Sequence, residues 1–266
     1  MKDFQNKCLD IRKEILDIFI KGGRGHLPSA FSLVEILVTL YYKKFNLTPD
    51  SFTSLDRDRV ILSKGHGCLA LYAILSDLGF ISKDEYHKFC KVGGILGGHP
   101  ARLKVPGVEV STGSLGHGLS VGIGMALSLK KNQSKKMVTV VLGDGECNEG
   151  TIWEAALSAA KNRLDNLIVL IDHNKFQSYG PVDEVCSLAP FGDKWKSFGF
   201  TVHEVDMVNE ADSLIDHLKT TEGKPTAIIC HTIKGQGHKL LEGNLAWHHK
   251  SKLNQSDIDE LLGGLK

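Results

Sequence analysis

No apolar run in the 266-residue chain is long enough to cross a bilayer, and the N-terminus, Met1-Lys-Asp-Phe-Gln5, has no apolar core of the signal-peptide kind. A membrane span and a secretory leader are therefore not expected. Cys-x-x-Cys pairs are missing too. Cys8, Cys68, Cys90, Cys147, Cys186 and Cys230 are scattered, which reads as reduced thiols in a cytoplasmic protein rather than a disulfide framework. Neither sign of charge is in excess, with 32 Lys plus Arg against 31 acids, so a general nucleic-acid or membrane-surface partner is not expected. Low-complexity sequence is absent, and 42% apolar with 24% charged residues places the chain among globular proteins. The length suits one sizeable α/β domain or two small ones.

Three common ligand devices are also absent. No Gly-x-x-x-x-Gly-Lys-Ser/Thr occurs. The glycines from Gly113 to Gly118 are in the wrong order for a dinucleotide fingerprint and follow no strand. Asp144-x-Glu-x-Asn148 lacks the glycine an EF-hand needs at its sixth position.

What is present is an alternation of strand-like and helix-like segments. The run Val138-Thr-Val-Val-Leu142 ends in Gly143-Asp144-Gly145, the pattern of a buried parallel strand leaving its sheet. A helix-compatible stretch, 151–163, leads to a second apolar run, 167–171, ending in Asp172-His173-Asn174. One βαβ unit would thus bring Asp144 and Asn174 side by side at the carboxyl edge of the sheet. Strand-like 57–62, 200–205 and 225–230, with helix-like 4–20, 33–43, 68–78 after the turn 63–67, 119–129 and 209–218, extend the alternation. The expected fold is α/β, a parallel sheet with helices on both faces. Ser32 with Glu35, and Ser82 with Glu85, read as capping boxes, and Ser256 as the cap of a last short helix. The glycine-rich stretch 92–118 is too long for a connector and reads as a binding loop.

Asp144, Asn174 and main-chain carbonyls make an incomplete set of hard oxygen ligands that suits Mg²⁺ or Ca²⁺ and leaves positions for phosphate oxygens. Gly-Asp-Gly alone is more often a turn; the strand, helix, strand, Asn context favours the ligand reading. His26, His66, His99, His117 and His248 sit in glycine- or proline-rich stretches where imidazoles could reach a cleft for phosphate binding or proton transfer. A zinc site draws little support, because His248 and His249 are adjacent and no second pair stands at i, i+4 spacing. His87, His173, His203, His217 and His231 read as structural.

Gly143-Asp-Gly145 with Asn174 resembles the thiamin-diphosphate signature. Gly25-His26, Leu62-Ser-Lys-Gly-His66, Gly98-His-Pro100, the 106–118 loop, 143–150 and Trp247-His248 follow the order of the transketolase family, in its N-terminal, diphosphate-binding third. The resemblance covers nearly the whole chain and implies a single thiamin-diphosphate-binding domain over 1–266. It implies that Asp144, Asn174 and the main-chain carbonyl of Phe176 bind Mg²⁺ or Ca²⁺. His66, the Gly145 amide and His248 would contact the diphosphate, and Gly113 and Leu115 would face the aminopyrimidine ring. His26, His99 and His248 would line the substrate channel, and Glu149 would couple cofactor sites across a dimer. The chain departs from the family's pattern at His117, where glutamine is common, at His249, where glycine is usual, and at Leu27-Pro28.

The carboxylate that activates the cofactor belongs, in this family, to a separate pyrimidine-binding domain. The chain ends at Lys266, so it is expected to be catalytically incomplete alone. The resemblance is to the N-terminal subunit of a split transketolase, paired with a C-terminal subunit in a heterotetramer and transferring a two-carbon ketol unit between sugars, phosphorylated ones first among them. The other readings are a deoxyxylulose-phosphate-synthase-like or acyloin-forming enzyme and a non-catalytic cofactor-binding subunit.

Overall fold

Short β-branched runs build the centre of the molecule. In the computed structural model, which describes residues 2–266 except Asn46, Tyr179 and Ser251, they form β1 (Arg59–Leu62), β2 (Val138–Gly143), β3 (Leu167–His173), β4 (Thr201–Asp206) and β5 (Thr226–His231). All neighbours pair in parallel in the order β1-β2-β3-β5-β4. All five strands therefore end at the same edge of the sheet, and a site built there can draw on residues far apart in sequence.

Alternate strand residues point to opposite faces, and both faces are covered. Leu62, Val141, Leu170, Ile228 and Cys230 face one core, closed by helices Lys2–Gly22 and Cys68–Asp77. Ile61, Val140, Val169, Ala227 and Ile229 face the other, closed by His117–Lys131, Gly150–Lys161 and Phe191–Ser197. Each such Leu, Ile or Val contributes about 1.5–3 kcal/mol by leaving water. The expected parallel sheet with helices on both faces is the observed fold.

Several local expectations change. Ser32 caps nothing: its hydroxyl donates to Asp172 Oδ2 at 2.6 Å, and Glu35 accepts from the buried Arg12 guanidinium at 2.6 and 2.8 Å. Both residues are drawn from a helix-start pattern into buried polar contacts, which outweigh an exposed cap. The helix expected over 33–43 is α-helical only over Val34–Val38 and continues as a π-helical turn, Thr39–Lys44. Ser82 does cap, accepting from Glu85 N at 3.3 Å, but its helix ends at Tyr86. The last helix is capped by Asn254 in a reciprocal box with Asp257, two residues before the expected Ser256. Segment 209–218 shortens to Ala211–Ser213 and Leu214–His217.

One long-range tie bears on the site. Arg12, in the first helix, donates through Nε to the Gln236 carbonyl at 3.0 Å. Gly237 (φ +84°) lets the chain pass there, since a Cβ would sit 2.4 Å from Arg12 Nε.

Candidate active site

The ends of β1, β2, β3 and β5 enclose a cavity lined by Ser29, Lys64, His66, Leu115, Gly143 to Glu146, Asn174, Phe176 to Ser178, Lys234 and His248. The adjacency expected of the βαβ unit holds, because Gly143 pairs with Asp172 and Asp144 N donates to the Asp172 carbonyl at 3.2 Å. Asp144 and Asn174 are 2% and 5% exposed, so both polar groups stand almost out of water.

Beneath them lies a charged floor. Lys64 pairs with Asp172, and Asp172 also accepts from Thr232 Oγ1. Lys234 follows β5 and donates to the Gln177 carbonyl at 3.0 Å. Burial, reinforced by Lys64, pulls the Lys234 ammonium down to about 8. Burial, then the charge of Asp172, pushes the Asp144 carboxyl up to about 7. Asp144 accepts from Gly145 N at 2.7 Å and Lys175 N at 2.6 Å, and these two bonds do not compensate its desolvation.

This is an environment in want of a cation. Asp144 Oδ1 and Oδ2 each keep a lone-pair direction, and Asn174 Oδ1 holds only the Phe176 amide, at 3.1 Å. Oxygen donors of this kind suit a hard divalent ion. Gly145 forms a cradle that a Cβ would close by coming 2.9 Å from Gln177 Cγ. Among the described residues, Gln177 Nε2, buried at the cavity, has no hydrogen-bond partner, the condition expected where an anionic ligand supplies acceptors. The residues thus fit both a divalent ion and a diphosphate.

The structure gathers His66, Leu115, Asp144, Gly145, Asn174, Phe176 and His248 at the cavity. The Gly145 amide is itself engaged by Asp144. His26 stands just outside, its ring 5.5 Å from His66, 5.3 Å from His248 and 6.4 Å from His99. His26 is held down at about 4, by burial first and then His249; His248 is held at about 3, by burial and then Lys234; His66 lies well below its usual value, by burial and then Lys64. At neutral pH these rings are uncharged donors and acceptors. His99 packs against Gly113, where a Cβ would come 3.3 Å from its ring, in a separate groove also lined by His117. His117 is the first residue of helix His117–Lys131 rather than a loop residue. Glu149 is exposed at the start of helix Gly150–Lys161, away from the cavity.

Sequence reasoning missed Lys64, Glu146, Asp172 and Lys234. Glu146 is 2% exposed and accepts from Gly143 N at 3.2 Å, Gly116 N at 2.9 Å and the Ser63 hydroxyl, tying the 113–118 loop to the end of β2. Gly116 (φ +83°) is required there, because a Cβ would sit 2.3 Å from Thr151 Oγ1. The available signal was position: Lys64 and Asp172 follow or end apolar runs, where a charged side chain has little choice but the sheet edge.

Residues 5–264 match the family described as transketolase, thiamine diphosphate binding domain. The chain is 40% identical over 251 residues to an apulose-4-phosphate transketolase subunit of Actinobacillus succinogenes, covering 93% of this chain and 91% of that one. It is 39% identical over 249 residues to a 6-deoxy-6-sulfo-D-fructose transketolase subunit of Clostridium sp., covering 93% and 90%. Among solved structures, the transketolase of Leishmania mexicana superposes with a TM-score of 0.88 at 28% identity over 97% of this chain, which spans 40% of that longer protein.

Proposed function

The chain belongs to the transketolase family, through its thiamine diphosphate binding domain, and from that premise we propose that it is the cofactor- and metal-holding subunit of a split transketolase. In this reading residues 1–266 act as one diphosphate-binding domain, and a C-terminal subunit carries the pyrimidine-binding domain, two copies of each making a heterotetramer. Support for a partner comes from the relatives whose names make them single subunits of transketolases. The same names support ketol transfer over a deoxyxylulose-phosphate-synthase-like reaction. Their substrates carry an anionic end, phosphate in one and sulfonate in the other, and we take this chain's sugars to be phosphorylated or otherwise anionic. Unpaired thiols fit a cytoplasmic location.

The observation that carries the reading is the convergence, on one buried cavity, of Asp144, Asn174 and Phe176 with His66 and His248. Asp144, Asn174 and the Phe176 carbonyl would hold Mg²⁺ or Ca²⁺. His66 and His248 would donate neutral hydrogen bonds to the diphosphate, with Lys234 adding a positive charge. Gly113 and Leu115 would form the wall for the aminopyrimidine ring. Thiamin diphosphate, held there, would supply an acidic carbon and an electron sink for carbon–carbon bond cleavage. His26, its ring 5.3 Å from His248 and 6.4 Å from His99, would with His99 accept and return protons at the sugar hydroxyls. Glu149, exposed at the start of its helix, would couple to a second copy.

Calorimetry of thiamin diphosphate with Mg²⁺, followed by a ketol-transfer assay with and without the C-terminal subunit, tests both halves. Metal-dependent binding by the chain and activity only in the mixture are expected. Full activity of the chain alone would overturn the split-enzyme reading, and unchanged metal-dependent binding in Asp144→Ala would overturn the metal assignment.

A further inference from the structure

We propose that His26, His248 and His249 form a site for a transition-metal ion of the zinc class at the mouth of the cavity, separate from the oxygen-ligand site at Asp144 and Asn174. The inference goes beyond the ketol-transfer reading, and because it shares His26 and His248 with that reading the ion would stand in place of the sugar and diphosphate contacts of those rings. The ring centroids lie 5.3 Å (His26 to His248), 5.0 Å (His26 to His249) and 4.3 Å (His248 to His249) apart. One ring nitrogen from each residue lies within 4.8 Å of the other two.

Adjacency in sequence, which argued against a zinc site, is overcome by backbone shape. His248 is the C-cap of the single 3₁₀ turn Leu245–Trp247, and the two consecutive imidazoles stand at 79° to each other. His26 completes the set from the loop that precedes helix Leu27–Phe31. A tetrahedral ion with bonds of about 2.0–2.1 Å to nitrogen sets its ligand atoms about 3.3 Å apart. The present limit of 4.8 Å exceeds this spacing, so a bound ion would have to draw the rings together by side-chain rotation.

Three further observations agree. Among the described residues, Nδ1 of His26 and Nδ1 of His248 are buried without a hydrogen-bond partner, a state that native proteins rarely leave uncompensated. His248 Nε2 lies 3.2 Å from Ser178 Oγ; when Nε2–H donates there, the lone pair is left on Nδ1, the outer contact typical of a ligating histidine. Both rings are also neutral at pH 7, as ligands must be. Three imidazoles select zinc, copper or nickel, whereas carboxylate and amide oxygens select magnesium or calcium, so the two neighbouring sites sort metals by ligand type. Lys234 opposes a bound cation through its own charge, which keeps the affinity moderate.

The test is calorimetric titration of the full, untagged chain with Zn²⁺, with Co²⁺ as a spectroscopic probe and Mg²⁺ as the hard-ion control. One Zn²⁺ per chain is expected at roughly micromolar affinity, together with the intense visible bands of tetrahedral Co²⁺. His249 is exposed, so His249→Ala should fold normally, checked by its melting temperature, and bind Zn²⁺ about tenfold or more weakly with loss of those bands. His203→Ala, on β4, should bind as the parent does. No Zn²⁺ binding, binding within twofold of the parent in His249→Ala, or binding lost in Asp144→Asn but kept in His249→Ala would each overturn the proposal.

Discussion

Lys64 and Asp172 meet as an ion pair inside the molecule, 1% and 0% exposed, although the strands that deliver them, β1 and β3, are separated by β2. The same carboxylate binds Ser32 and Thr232, so three distant segments converge on one side chain directly beneath the cavity.

Removing the lysine alone should therefore be severe. Lys64→Met leaves Asp172 charged and buried without its cation, and such half-broken pairs cost about 3–5 kcal/mol. Urea unfolding should show that loss, and Lys64→Met/Asp172→Asn should recover much of it. Simple additivity of the two substitutions would show that the pair does not couple.

Asp144 should trade stability for binding. Its folded value, about 7, lies above the 3.8 of an aspartate in water. Between those values the folded state holds more protons than the unfolded one, so stability from this group is full at low pH and is lost as pH rises through 7. In the absence of metal, Asp144→Asn should melt higher than the parent at pH 8, by roughly 2–4 °C for each kcal/mol recovered. It should melt no higher at pH 4, and metal-dependent thiamin diphosphate binding should disappear. A melting difference that does not change with pH would contradict the assignment.

His173 should contribute in the opposite direction. Burial, then His231, lowers it from 6.5 to about 4. The unfolded chain binds the extra proton between these values, so this stability is complete above about pH 6.5 and is lost as pH falls toward 4. His173→Gln should reduce the acid loss of melting temperature while leaving thiamin diphosphate affinity intact, since the ring lies outside the cavity. An unchanged melting profile between pH 7 and 4 would count against it.

Glu146 should act by position rather than by touching a ligand. In Glu146→Gln the orientation that keeps the oxygen on Gly116 N and Ser63 Oγ turns the NH₂ to Gly143 N, which loses its partner at about 1–3 kcal/mol. The Gly143 amide should exchange its hydrogen faster, and cofactor affinity should fall while the far-ultraviolet spectrum stays as it is. Unaltered exchange at Gly143 would show that this end of β2 is held by other contacts.

Much of this arrangement is legible in the chain. The apolar runs at 138–142 and 167–171 announce buried parallel strands because they are short and rich in β-branched residues, and Asp144 and Asn174 follow from where those strands have to end. Ser32 and Glu35 mislead for a physical reason: the cap pattern is a local signal, whereas Asp172 and Arg12 reach them from 140 and 23 positions away. Lys64 and Lys234 carry no sequence signal because a lysine's default place is the surface, and only the assembled sheet edge shows them enclosed. His249 looks like a mere departure from a pattern until the turn at 245–247 shows which ring it faces.

The clamp from Arg12 to the Gln236 carbonyl also bears on the order in which the protein can be made. Synthesis delivers the helix bearing Arg12 before any strand, while the segment bearing Lys234, Gln236 and His248 leaves the ribosome only after all five strands. Until then the Arg12 guanidinium has Glu35 but not Gln236, and the cavity lacks one side. A nascent chain paused before residue 234 would hold much of the sheet yet present an open cleft, so competence to enclose a ligand should arise later in synthesis than the core does.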